Sequence, residues 1–122
     1  MSDNQVFVND RDVIEIKAVG DQTIDSVQSM ADQARELAMH QLKVGKRVMI
    51  LDDLLGLGAV AEGARDRVVD LVRAGEFDKF AMLGAGEMLR TDADLLLQET
   101  GRGGHVKYFE DREACIDWLL RP

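Results

Sequence analysis

The chain has 122 residues but only one cysteine and one proline, and neither can organise it. Cys115 has no partner for an internal disulfide, so stability must come from a packed core, and a reducing compartment is the expected setting. Pro122 is the last residue, so no proline-rich linker divides the chain. Long apolar runs are missing as well. The longest stretch without a polar side chain, Leu54 to Ala61, is interrupted by glycine, whereas a spanning helix needs about 20 apolar residues. Residues Met1 to Gln5 lack the basic region and apolar stretch of a signal peptide, so a cytoplasmic protein without membrane insertion is expected. Basic residues are scarce, 15 against 23 acidic ones, and the net charge of −8 repels phosphate backbones. Nucleic acid is therefore not an expected partner.

What is present is enough for one core. With 46% hydrophobic residues and no internal repeat, residues 1–122 read as a single domain. Val6 to Val8 and Val13 to Ala18 flank the turn residues Asn9-Asp10-Arg11-Asp12 and predict a hairpin. Its second strand carries Ile14, Ile16 and Ala18 on one face and Glu15 and Lys17 on a face expected to be exposed. Thr23 is placed to cap a helix whose apolar residues recur from Val27 to Leu42. Val48 to Leu51 and Phe80 to Leu83 are continuous apolar runs, the pattern of strands buried on both faces. A second helix is marked by Ala61, Ala64, Val68, Leu71 and Val72 and ended by Gly75, and a third is expected over Asp92 to Thr100. His105 to Phe109 predicts a last strand, and Asp111 caps a last helix with Cys115 on its buried stripe. The order ββαβαβαβα implies an α/β fold with a mostly parallel sheet and strands two to five side by side in sequence order.

In such sheets ligands bind outside the carboxyl ends of the strands, which here lead into Asp52 to Gly58, Gly84 to Arg90 and Glu110-Asp111. The only serines, Ser2, Ser26 and Ser29, lie elsewhere, so no nucleophilic triad can be assembled. Neither His40 nor His105 has metal-ligand spacing. Gly56-Leu57-Gly58-Ala59-Val60-Ala61 matches a dinucleotide fingerprint, but the ribose-binding acid is missing after the next strand, where Gly84-Ala85-Gly86 stands. Asp52, Asp53 and Glu87 would serve a Mg²⁺-dependent phosphoryl or nucleotide chemistry, yet no positive phosphate clamp accompanies them. A solvated acidic turn with one Asp capping the next helix is the simpler reading. No cofactor and no catalytic residue are expected.

The element order, with Asp53-Leu54-Leu55-Gly56-Leu57-Gly58 after the third strand, resembles the STAS domain, named for sulfate transporters and anti-sigma-factor antagonists. The ending, Val106-Lys107-Tyr108-Phe109-Glu110-Asp111 through Trp118-Leu119, is similar to the SpoIIAA-like branch of small bacterial proteins. The resemblance implies a fold built as a right-handed βα superhelix and a non-catalytic, regulatory role in protein docking or self-association, including dimer formation. The family's switch motif reads Asp-Ser-Ser-Gly-Leu-Gly, with the second serine phosphorylated; here Leu54 and Leu55 replace both serines, so that switch cannot operate. The expected docking site is an apolar patch formed by Asp53, Leu54, Leu55, Gly56, Leu57 and Gly58 with Gly84, Gly86, Glu87, Met88 and Leu89. The same branch resembles the lipid-carrying SEC14 domains, which implies a small apolar ligand as the alternative. The short chain leads to the expectation of a shallow groove rather than a cavity of several hundred Å³.

Overall fold

The turn chemistry after Val8 makes the hairpin that the sequence predicts. The computed structural model describes residues 3–75, 77–86, 94 and 104–122, and in it β1 (Gln5–Val8) runs antiparallel to β2 (Ile14–Gln22). Asn9 Oδ1 accepts from the backbone N–H of Arg11 at 2.8 Å and of Val13 at 3.1 Å. Asp12 takes the left-handed conformation at φ 61°, which a short polar side chain tolerates.

Helix α1 (Ile24–Lys43) begins where expected. Thr23 Oγ1 accepts from the Ser26 N–H at 3.1 Å and Ser26 Oγ accepts from the Thr23 N–H at 2.8 Å, a reciprocal box that satisfies two otherwise orphaned donors. The remaining elements are β3 (Met49–Val60), α2 (Ala64–Ala74), β4 (Lys79–Leu83), β5 (Val106–Phe109) and α3 (Arg112–Leu120). Of the helix expected over Asp92 to Thr100, all but Asp94 lies outside the described residues.

The sheet order is β1-β2-β3-β4-β5, and every pair after the hairpin is parallel, as expected. Side chains alternate between the two faces of each strand. One face, with Ile14, Ile16, Ile50, Phe80 and Met82, packs under Met30, Ala34 and Ala38 of α1 and Val69 and Val72 of α2. The other, with Val13, Met49, Leu51, Ala81 and Leu83, packs under Cys115 and Leu119 of α3. Lys79 Nζ closes the end of α3 by donating to the carbonyls of Trp118 at 2.6 Å and Arg121 at 2.9 Å.

Two expectations are corrected. No loop follows Leu51: β3 continues as strand to Val60, paired with β2 from Ile14↔Ile50 to Gln22↔Val60, while β4 accompanies it only to Asp53↔Leu83. Gly56 and Gly58, which look like turn residues, both lie within the strand, and Gly58 lets two strands approach closely. A Cβ on Gly58 would stand 2.5 Å from Asp21 Oδ1 and 2.9 Å from the Gly20 carbonyl carbon, and that Asp21 carboxylate accepts the Ala59 N–H at 2.8 Å. The fingerprint-like segment therefore lies on a strand, and α2 opens only at Ala64, after Gly63 in the left-handed conformation. The second correction concerns β2. Glu15 is buried rather than exposed, because α3 covers the face that the alternation assigned to solvent.

Candidate functional site

Asp52 and Asp53 are neighbours on a strand, so their side chains leave opposite faces of the sheet. Each meets a different environment. Asp53, on the α3 face, has its carboxylate 3.9 Å from Arg112 Nη1 and accepts the Leu55 N–H at 3.0 Å. Arg112 also forms an ion pair with the buried Glu15. One arginine at the start of α3 thus ties β2 and β3 together, and both acids have a cation. Cys115 lies on the same face, and burial pushes its thiol up to about 12, with Arg112 pulling the other way. A thiol held neutral in this way is a poor nucleophile.

Asp52 faces α1 and α2 and lines a cavity of about 620 Å³. Its floor is the sheet, with Ile16, Ile50, Leu54 and Met82; its walls are Met30, Ala31 and Ala34 of α1 and Val68, Leu71 and Val72 of α2. Such a volume corrects the expectation of a shallow groove: the long β3 adds Leu54, Leu57 and Val60 to the lining, which a strand ending at Leu51 would not.

The carboxyl of Asp52 is half-buried because its accessible surface opens into the cavity. Its cross-strand neighbours are Ile16 and Met82, and among the described residues it has no hydrogen bond or ion pair. Desolvation by burial, and secondarily the negative charge of Asp53, raise its pKa from 3.8 to about 7. Among the described residues, the other charged groups on the lining are Asp32 and Arg35 of α1 and Arg65 of α2.

The structure separates the residues expected to form one patch. Leu54 and Leu57 turn toward the core and the cavity, whereas Leu55 is 56% exposed. Gly56 pairs with Val19 of β2, Gly58 lies against Gly20 and Asp21, and Gly84 and Gly86 follow β4. Glu87, Met88 and Leu89 lie outside the described residues. Since Asp52 and Asp53 diverge, they cannot share a metal ion, and no group of three potential ligands converges among the described residues. Glu15, Arg112 and the unpaired state of Asp52 were not foreseen. The only sequence signal was an acid on each of two adjacent strands, and the arginine that pairs with them, Arg112, is far from both in the chain.

A hairpin, a parallel sheet in chain order and helices on both faces define a SpoIIAA-like fold. Among solved structures the chain is similar to an uncharacterised protein of the DUF3478 family, with a SpoIIAA-like fold, from Shewanella loihica PV-4. Identity is 23%, the match covers 96% of this chain and 92% of that chain, and the TM-score is 0.66. No protein-family profile and no curated protein match the chain. No helix among the described residues is long and apolar enough to cross a membrane.

Proposed function

We propose that this domain is a non-catalytic binding module for a small apolar or amphiphilic molecule, held between α1, α2 and the sheet. The cavity of about 620 Å³ carries the reading. It falls within the roughly 300–1,000 Å³ of ligand sites and has their chemistry, mostly hydrocarbon with a few polar groups. A close-packed interior leaves few voids larger than a water molecule, so an apolar space of this size has a use other than packing. The neutral, buried Cys115 on the opposite face of the sheet supports a non-catalytic role.

The test is titration with N-phenyl-1-naphthylamine, an apolar dye that brightens when it leaves water. Saturable brightening is expected, and Ala31→Trp, which places an indole in the cavity from a half-buried wall position, should abolish it. Undiminished dye binding in that variant would overturn the reading.

A second reading, protein docking of the STAS type, is favoured by one observation, the exposed Leu55 on the part of β3 that extends past β4. Leu55→Asp should change folding stability by no more than about 0.5 kcal/mol and leave dye binding intact, while weakening any self-association measured by sedimentation. Unaltered sedimentation would remove this support.

A further inference from the structure

We infer that Asp52 recognises the polar end of the ligand, and that the ligand is a cationic amphiphile, an alkyl chain or apolar ring system ending in an ammonium group. The inference rests on the ligand-binding reading above and adds the ligand's chemistry. Two adjacent acids on one strand supply the argument. Asp53 points to the α3 face and has Arg112. Asp52 points into the cavity between Ile16 and Met82 and, among the described residues, has no hydrogen bond or ion pair. A carboxylate in hydrocarbon surroundings is costly unless a cation or N–H donor reaches it. An ammonium group entering the cavity would supply for Asp52 what Arg112 supplies for Asp53, and the apolar walls would take the rest of the molecule. The net charge of −8 favours approach of a cation over that of an anion.

Among the described residues, the other charged groups facing this space, Asp32 and Arg35 on α1 and Arg65 on α2, partly cancel one another, and Asp32 accepts from Gln28 at 2.8 Å. Glu15 and Asp53 face the other side of the sheet, where Arg112 pairs with them. Asp52 is therefore the group whose charge a buried ammonium would sense most strongly. Because its carboxyl holds its proton up to about pH 7, binding the cation below that pH must expel one proton to solvent. Affinity for an amine should then rise with pH through 7, while affinity for an uncharged chain of equal length should not.

The experiment displaces bound N-phenyl-1-naphthylamine with dodecylamine, 1-dodecanol or dodecanoate between pH 5.5 and 8.5. Dodecylamine should bind about tenfold to a hundredfold more tightly than dodecanol at pH 8, the range expected for a charge-assisted bond formed away from water. Asp52→Asn, which keeps the shape but cannot ionise, should remove both that preference and its pH dependence, with a cooperative thermal unfolding transition as the control for folding. The wild-type comparison of amine with alcohol stands even if the variant does not fold. Equal affinity for amine and alcohol, tightest binding of dodecanoate, or a preference that survives in Asp52→Asn would each overturn the inference while leaving an apolar site. Failure of all three compounds and of the dye to bind would overturn the site itself.

Discussion

Adjacent residues of the same type have opposite consequences here. Asp53 is stabilised by a partner, whereas Asp52 is tolerated by staying protonated. Since the pKa of Asp52 rises from 3.8 to about 7 on folding, the folded chain holds a proton that the unfolded chain has released between those values. The stability associated with the neutral carboxyl is complete below the unfolded value and is lost as pH rises through about 7. Without ligand, Asp52→Asn should therefore be more stable than wild type at pH 8 and indistinguishable from it at pH 4. The gain is expected to be roughly 1–2 kcal/mol, less than the full shift implies, because solvent reaches the carboxyl through the cavity. Urea unfolding at the two pH values measures it, and a gain of equal size at both would mean that ionisation is not the cause. None of this is visible in the sequence. Asp52 and Asp53 read as one acidic turn, and Arg112, which distinguishes them, is 97 residues from Glu15 along the chain.

At the scale of elements, most of the fold was legible because pattern and punctuation agree. The Asn9 turn, the Thr23 cap and the apolar runs before Asp52 and Gly84 each point to one local structure. The reading fails where punctuation and structure part company. Glycine at positions 56 and 58 signals a break, but β2 itself departs from regular pairing between Lys17 and Val19 and between Gly20 and Gln22, and Gly58 sits against the second of these irregularities. A strand cannot show in its own sequence that its neighbour will be irregular. The two glycines differ in a measurable way. A Cβ at Gly58 meets backbone at 2.9 Å, whereas at Gly56 the nearest atom, the Ala18 carbonyl oxygen, is 3.6 Å away. Gly58→Ala should cost about 1–3 kcal/mol and Gly56→Ala less than about 1 kcal/mol. Equal costs by chemical denaturation would show that close approach is not what Gly58 provides.

For the molecule as a whole, the cavity was the feature least accessible to pattern reading. Periodicity shows which side of α1 and α2 is apolar, but the gap between two helices depends on how both rest on the sheet. The small residues Ala31, Ala34 and Ala38 on α1 were legible as core, not as the wall of a space. An unfilled apolar volume forfeits dispersion contacts, so the domain without ligand is less stable than its composition would allow. Ala31→Leu should raise the melting temperature, with a gain of about 0.5–2 kcal/mol, and weaken dye binding at the same time. A variant that binds less dye without becoming more stable would mean that the cavity walls close by themselves when empty.

Because the spatial order of the strands equals their order along the chain, each strand after the hairpin is laid against one that already exists. The β1–β2 hairpin needs only local contacts, and β3 can dock once α1 has crossed over. A chain emerging from a ribosome at about 5–20 residues per second can therefore build this sheet from one edge to the other without waiting for distant segments. No strand has to be inserted between two that are already paired. Until the residues after Ala74 emerge, the outward edge of β3 is open, and at that stage of synthesis the half-built sheet most needs protection from pairing with other chains.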